Sequence, residues 1–404
     1  MVPEGWKRIP LVKIAQVRSG VATGKKGLKE PISVPYLRVA NVQDGFIDTS
    51  EVKVIEIEKS QLERYSLKKG DVLMNEGGDF DKLGRGDVWD ARIEPCLHQN
   101  HVFAVRVNRD CIEPYFLAVL AASNYGKTYF LNCSKRSTNL ASINSTQLKE
   151  FPVLVPPLGE QKTIARILST WGEAIATTEQ LLANSEQQKK ALMQQLLTGK
   201  KRLPGLEEEW NEISLGELFC ERKEAGIADL PLLSVTSEYG IISRDDVGRK
   251  DTSSADKSKY LRVCSGDIAY NTMRMWQGVS ALSGLEGIVS PAYTVLKPNS
   301  RVDSRFAAYL LKLPEMIHRF YRHSQGLVSD TWNLKYKQFA KIKVSVPIVE
   351  EQAAIADVLA KQDRLIACLG KQLQQLKSEK KALMQQLLTG KRRVKVTEIE
   401  PASA

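Results

Sequence analysis

The chain has 404 residues, 43% of them hydrophobic and 26% charged, which fits two or three globular domains and excludes a disordered, collagen-like or wholly coiled-coil protein. No apolar run reaches the ~18 residues of a membrane span, residues 1–6 lack the pattern of a signal peptide, and six scattered cysteines without a CxxC pair suit unpaired thiols in a cytoplasmic protein. A net charge of +11, from 58 Lys and Arg against 47 Asp and Glu, points to a polyanionic partner, with the excess spread along the chain rather than gathered in a tail.

In chain order, Trp6-x-x-Ile9-x-Leu11 opens a segment of mixed α/β character. Residues 34–42, 71–74 and 101–107 read as short strands and 115–122 as an apolar helix, with glycine-rich loops at Glu76-Gly77-Gly78-Asp79 and Gly84-Arg85-Gly86. A proline stretch at Val155-Pro156-Pro157 then ends a strand, and a long helix follows, closed near Gly199. The pattern starts again at Trp210-x-x-Ile213-x-Leu215. Residues 230–235, 267–270, 293–296 and 306–311 take the places of the earlier strands and helix, and a second long helix follows Val346-Pro347 and closes near Gly390.

This recurrence is a tandem duplication. Lys189 to Lys200 reads KKALMQQLLTGK, and so does Lys380 to Lys391, at an offset of 191; Glu160-Gln161 matches Glu351-Gln352 in the same register. Domain boundaries are expected at 1–155 and 203–346 for two divergent α/β segments, at 156–202 and 347–393 for two helical segments, with a tail at 394–404. The helical segments carry apolar residues at 4,3 spacing, a coiled-coil signature. In the first these are Ile164, Leu168, Trp171, Ile175, Leu182, Leu192 and Leu196, interrupted by Thr178, Ser185 and Lys189. In the second they are Ile355, Leu359, Ile366, Leu369, Leu373, Leu376, Leu383 and Leu387, with Gln362 and Lys380 among them. The fold class expected is α+β: two α/β domains, each followed by a long helix of about 57 Å at ~1.5 Å per residue, the helices pairing antiparallel.

Catalytic motifs are missing: there is no GxxxxGK[ST], HExxH, GxSxG or GxGxxG after a strand. Cys96-x-His98-x-x-His101 is at most half a metal site, so no metal is expected. The loops instead mix Arg, Lys, Asn and Gln with glycine, the composition that reads base edges and phosphates. In the first half the candidates are Arg38, Asn41, Asn75, Lys82, Arg85, Gln99, Asn100, Lys135, Arg136, Ser137 and Thr138. In the second they are Asn271, Thr272, Arg274, Trp276, Gln277, Arg322, His323 and Ser329. Arg85 and Arg274 lie at broadly corresponding places in the two halves.

Layout and motifs together resemble the specificity subunit of Type I restriction–modification systems. The resemblance runs from Trp6 to Lys391. It rests on the paired Pro…Glu-Gln…KKALMQQLLTGK helices, on residues 36–42, on 75–79 with 83–86, and on 273–278 with 287–293. It implies two target recognition domains, each reading one part of an asymmetric bipartite DNA site, on helices that set the spacer. The subunit itself does no chemistry and holds no cofactor. It binds two modification subunits, which use S-adenosylmethionine to methylate adenine N6, and restriction subunits that use ATP and Mg²⁺. The alternatives are a related two-part methyltransferase or nuclease system, and a coiled-coil scaffold with no DNA role.

Overall fold

The computed structural model describes residues 2–24, 27–78, 80, 83–136, 140–206, 208–227, 229–236, 240–248, 256–326 and 332–396. It forms two compact units, one of residues 1–179 with 371–404 and one of residues 180–370. Each unit therefore holds a divergent α/β segment and half of each long helix.

In the first unit the central sheet is antiparallel, in the order Ala15–Ser19, Val102–Val107, Val72–Asn75, Gly86–Val88. Val72, Leu73, Val102 and Val105 are fully buried, as expected for strands covered on both faces. Helices Pro114–Ala122 and Asn124–Cys133 contribute Phe116, Leu117, Leu120 and Phe130 to its core. A smaller sheet, Leu97–His98, Pro31–Leu37 and Lys53–Glu58, flanks it. Strand Lys7–Pro10 pairs with Pro152–Val155 and so delivers the chain to the first long helix, Leu158–Leu196.

The second unit repeats the plan. Its sheet runs Phe219–Glu221, Tyr293–Pro298, Ile268–Asn271, Ser280–Leu282, and helices Ser304–Leu310 and Pro314–His323 supply Phe306, Leu310 and Phe320 to its core. Asn211–Ser214 pairs with Lys343–Val346 ahead of the second long helix, Val349–Leu387. One close approach recurs in both units. Gly84 has φ +65° and a Cβ there would lie 2.6 Å from Phe130; Gly278 has φ +79° and a Cβ there would lie 2.8 Å from Ile317. Any side chain at either position would take up a strained backbone conformation and have to displace the Phe130 or Ile317 side chain of the helix packed there.

The long helices pair within each unit. Lys377 bridges to Glu179 at 2.6 Å in the first unit; in the second, Gln362 donates to the Ser185 carbonyl at 3.0 Å. The polar interruptions of the seam are matched rather than exposed. Ser185 and Gln362 are buried, and Lys189 pairs with Asp363 while lying 5.6 Å from the Tyr309 ring centre. Among the seam residues, Ile164, Leu168, Leu196, Ile355, Leu359 and Leu387 are buried; Trp171, Ile175, Leu182, Leu192, Ile366, Leu369, Leu373, Leu376 and Leu383 are partly buried.

The helix ends do more than pair. Ile164, Ala165 and Leu168, near the start of the first helix, sit in the core of the first unit beside Leu387 and Leu388, from the end of the second helix. Ile355, Ala356 and Leu359 share the other core with Leu196 and Leu197. Each α/β core is thus completed by its own helix start and by the opposite helix's end. No helix among the described residues is long and apolar enough to cross a membrane.

Candidate nucleic-acid interface

In each unit the loop that joins the third and fourth sheet strands is held in the same way. The Asn75 N–H donates to the Arg85 carbonyl at 3.0 Å, and the Asn271 N–H donates to the Val279 carbonyl at 3.1 Å. A second segment is tied to its start: Ile143 N–H to the Glu76 carbonyl, and Leu334 N–H to the Thr272 carbonyl, both 2.8 Å. Just upstream of that segment, Lys135–Arg136 pairs with Ala141–Ser142 in the first unit, and Gln325 bridges to Asn333 in the second. The same two loops therefore share one end of each unit, although their sequences have diverged.

In the first unit this end gathers Arg85, exposed Lys135 and Arg136, and the Gln99-Asn100-His101 turn. The turn is attached by Glu76, whose N–H donates to the His101 carbonyl at 3.0 Å and whose carboxylate meets the His101 ring at 2.7 Å. The Arg85 Nε is buried and has no partner among the described residues. Lys82, Ser137 and Thr138 lie outside the described residues, as does Ser329 in the second unit.

Asn41 and Asn75 act within the fold instead of facing outward. Asn41 is buried and donates to the Asp48 and Glu51 carbonyls, both at 2.9 Å, while its oxygen accepts from the Arg38 N–H. Asn75 is fully buried and donates to the Val42 carbonyl at 2.9 Å. These amides fix the loops that carry other side chains. Arg38 pairs with Glu51 at 3.3 Å and remains about one quarter exposed.

In the second unit Arg274 is exposed and precedes a short 3₁₀ turn, Met275–Gln277, anchored by fully buried Met275. Thr272 donates to the Ala292 carbonyl and Asn271 accepts from the Met273 N–H, so both shape the turn; Gln277 is exposed. Trp276 donates to the Met273 carbonyl at 2.9 Å. Its ring starts an edge-to-face series: Trp276 to Trp332 at 5.5 Å, then Trp332 to Tyr321 at 4.9 Å. Tyr321 and Met273 are exposed, and Arg322 and His323 close the helix beside them. Trp332 and Tyr321 escaped the sequence reading. The 191-residue register puts Trp332 opposite Ala141 of the first loop, which would have marked it.

The Cys96, His98 and His101 side chains do not converge. Cys96 donates to the Leu97 carbonyl, His98 is buried against the Val102 carbonyl at 2.7 Å, and His101 turns outward to Glu76. Burial lowers the His98 pKa to about 4 and raises that of Cys96 to about 12, so both are neutral core groups. No cluster of potential metal ligands occurs among the described residues.

A family model described as Type I restriction modification DNA specificity domain matches residues 3–187 and 207–378. The type I restriction enzyme MjaVIII specificity subunit of Methanocaldococcus jannaschii is 28% identical over 98% of this chain and 94% of its own length. Two solved structures share the fold over nearly their whole length. They are the HsdS subunit of Thermoanaerobacter tengcongensis (18% identity, 97% of this chain and 98% of that one, TM-score 0.51) and the Type-I restriction-modification system S subunit of M. genitalium (14%, 96% of each, TM-score 0.59). The family match falls once on each repeat and takes in most of the chain, so the protein belongs to the specificity subunits of Type I restriction–modification systems, non-catalytic chains that recognise DNA for partner methyltransferase and restriction subunits.

Proposed function

We propose that each unit reads one half of an asymmetric, bipartite DNA site, and that the paired helices set the spacer and dock two modification subunits. The carrying observation is the loop pair that both units hold by matching backbone hydrogen bonds while presenting different side chains: Arg85, Gln99, Asn100, Lys135 and Arg136 in one, Arg274, Trp276, Gln277, Arg322 and His323 in the other. Equal scaffolds bearing unequal side chains suit two readers of unequal sequences. Two readers are needed because one small module discriminates by only ~1–3 kcal/mol per base pair. S-adenosylmethionine, ATP and Mg²⁺ belong to the partner subunits in this reading, and the methylated atom is adenine N6.

Exchange of residues 1–150 for those of another member tests it, since it leaves both long helices intact. Mapping methylated adenines in cells carrying the hybrid with its partners should reveal one changed half-site and one retained. A change in both halves would defeat the two-reader model.

A further inference from the structure

We propose that the first unit binds a phosphate group in the cavity between strand Ala15–Ser19 and residues 59–68, whose lining residues are none of those assigned above to base reading. The cavity has a volume of about 360 Å³ and is lined by Arg18, Ser60, Glu63, Arg64, Lys68 and Arg106. That is room for a phosphate and several waters of ~30 Å³ each. Four cations face one lining carboxylate, Glu63, and one of the four, Arg106, is paired with Asp71.

The second unit shows why this excess is unusual. By sheet register Arg18 and Arg222 are equivalent: Arg18 lies opposite Ala104, and the Arg222 N–H donates to Val295, while Ala104 and Val295 neighbour Leu73 and Ala269 in turn. Arg222 is neutralised twice, by Asp267 at 2.7 Å and by Glu224 at 2.6 Å. In the first unit neither group is hydrogen-bonded to Arg18 among the described residues, and Asp71 acts on it only as a nearby charge. Asp71, the counterpart of Asp267, is held by Arg106 through two bonds of 2.8 and 2.7 Å. Gly20 stands at the place of Glu224, where any Cβ would collide with the His98 carbonyl.

Among the described residues Arg18 has the Arg64 carbonyl as its hydrogen-bond partner. Its pKa is lowered by burial first and by the neighbouring Arg106 second. A half-buried guanidinium crowded by like charges favours a bound anion. The guanidinium fork matches phosphate oxygens two at a time, and the exposed Arg64 and Lys68 at the rim supply further charge.

The phosphate can come from the DNA backbone, in which case the inference rests on the DNA-reading role, or from a free phosphate. Two measurements on the full chain separate these. Inorganic phosphate is titrated at low ionic strength by calorimetry, and duplex DNA binding is measured across a salt series, for wild type, Arg18→Gln, Arg18→Lys and Lys68→Glu. For a backbone phosphate, Arg18→Gln and Lys68→Glu weaken DNA binding alike on all sequences. Arg18→Gln also reduces the slope of log K against log salt by about one, and Arg18→Lys retains most of it. For a free phosphate, a saturable isotherm disappears in Arg18→Gln while the salt slope stays. The inference is overturned if folded Arg18→Gln and Lys68→Glu leave both measurements unchanged, or if wild type binds neither probe. A wild type that binds phosphate but no DNA removes the DNA-reading role and leaves the cavity assignment standing.

Discussion

Arg393 reaches back over 233 residues of chain to Glu160 and grips its carboxylate with two bonds of 2.7 and 2.8 Å. The other repeat does the same in reverse, with Arg202 on Glu351 at 2.7 and 2.6 Å. Both carboxylates are almost fully buried, and each arginine lies near a tryptophan ring, 6.0 Å from Trp6 and 5.9 Å from Trp210. The adjacent glutamines complete the clamp. Gln161 accepts from the Glu113 N–H and Gln352 from the Asp303 N–H, both at 2.9 Å, so each long helix is tied to the start of a helix in its own α/β segment.

The two clamps differ in one bond, which makes them unequal. Trp6 donates to Glu160 at 3.2 Å, whereas the Trp210 indole N–H is buried without a partner among the described residues. Arg202→Ala should therefore cost more stability than Arg393→Ala, because Glu160 keeps the indole and Glu351 does not. We expect the larger loss for Arg202→Ala, the exposed parts of both arginines being screened by solvent. Urea unfolding of both variants checks the order, and equal losses would contradict it.

His98 makes stability depend on pH. Its pKa in the fold is about 4, against 6.5 for an unperturbed ring, because burial disfavours the charged form. The unfolded chain then takes up a proton before the native one does. This contribution is fully present above pH 6.5 and is lost as pH falls toward 4. Between pH 7 and 5 it should amount to about 2 kcal/mol. Denaturant midpoints at the two pH values, with His98→Gln as reference, measure it: the variant should show the smaller drop.

Lengthening the helices has to respect their pairing. Each unit takes half of both helices, and the chain passes between units at 179–180 and again at 370–371. Seven residues added to the first helix alone would put it out of step with the second, so the expected result is a poorly folded chain. Matched heptads at both points keep the seam in phase and add about 10 Å at ~1.5 Å per residue. The methylated site should then keep both half-sites and gain about three base pairs of spacer at ~3.4 Å each. An unchanged spacer in a folded double insertion would refute the ruler.

Arg274 tests the second reading face. If it contacts a base, Arg274→Ala should weaken binding by about 1–3 kcal/mol and relax one position of the second half-site. If it holds phosphate, affinity should fall on all sequences and the salt slope should shrink by about one. Affinity and preference both unaltered would remove it from the interface. Tyr321→Ala, in the exposed part of the aromatic series, separates charge from ring contact: it should lower affinity while leaving the salt slope in place.

The offset of 191 residues made the duplication, the helices and their 4,3 seam legible before any coordinates. Repetition is a property of the sequence alone. The partners of Glu160 and Gln161 were not legible, since they lie on segments that only the completed fold brings near. Asn41 and Asn75 show a second limit. Composition marks an amide on a polar loop, but burial decides whether it faces outward, and both of these were turned inward by carbonyls up to 36 residues away. Arg18 escaped notice for a related reason. An arginine in a strand is unremarkable until the acid expected beside it is found to be engaged elsewhere.

The far helix end inside each core also bears on how the chain is made. Residues 180–370 form one unbroken stretch, so the second unit can close as soon as that stretch has left the ribosome. The first unit lacks Leu387 and Leu388 until residues 180–370 have all been made. At ~5–20 residues per second, Trp6, Leu11 and Ile14 wait tens of seconds for the leucines that share their core. The half made first is thus the half finished last, and its uncovered apolar face is where a nascent chain of this protein most needs a chaperone.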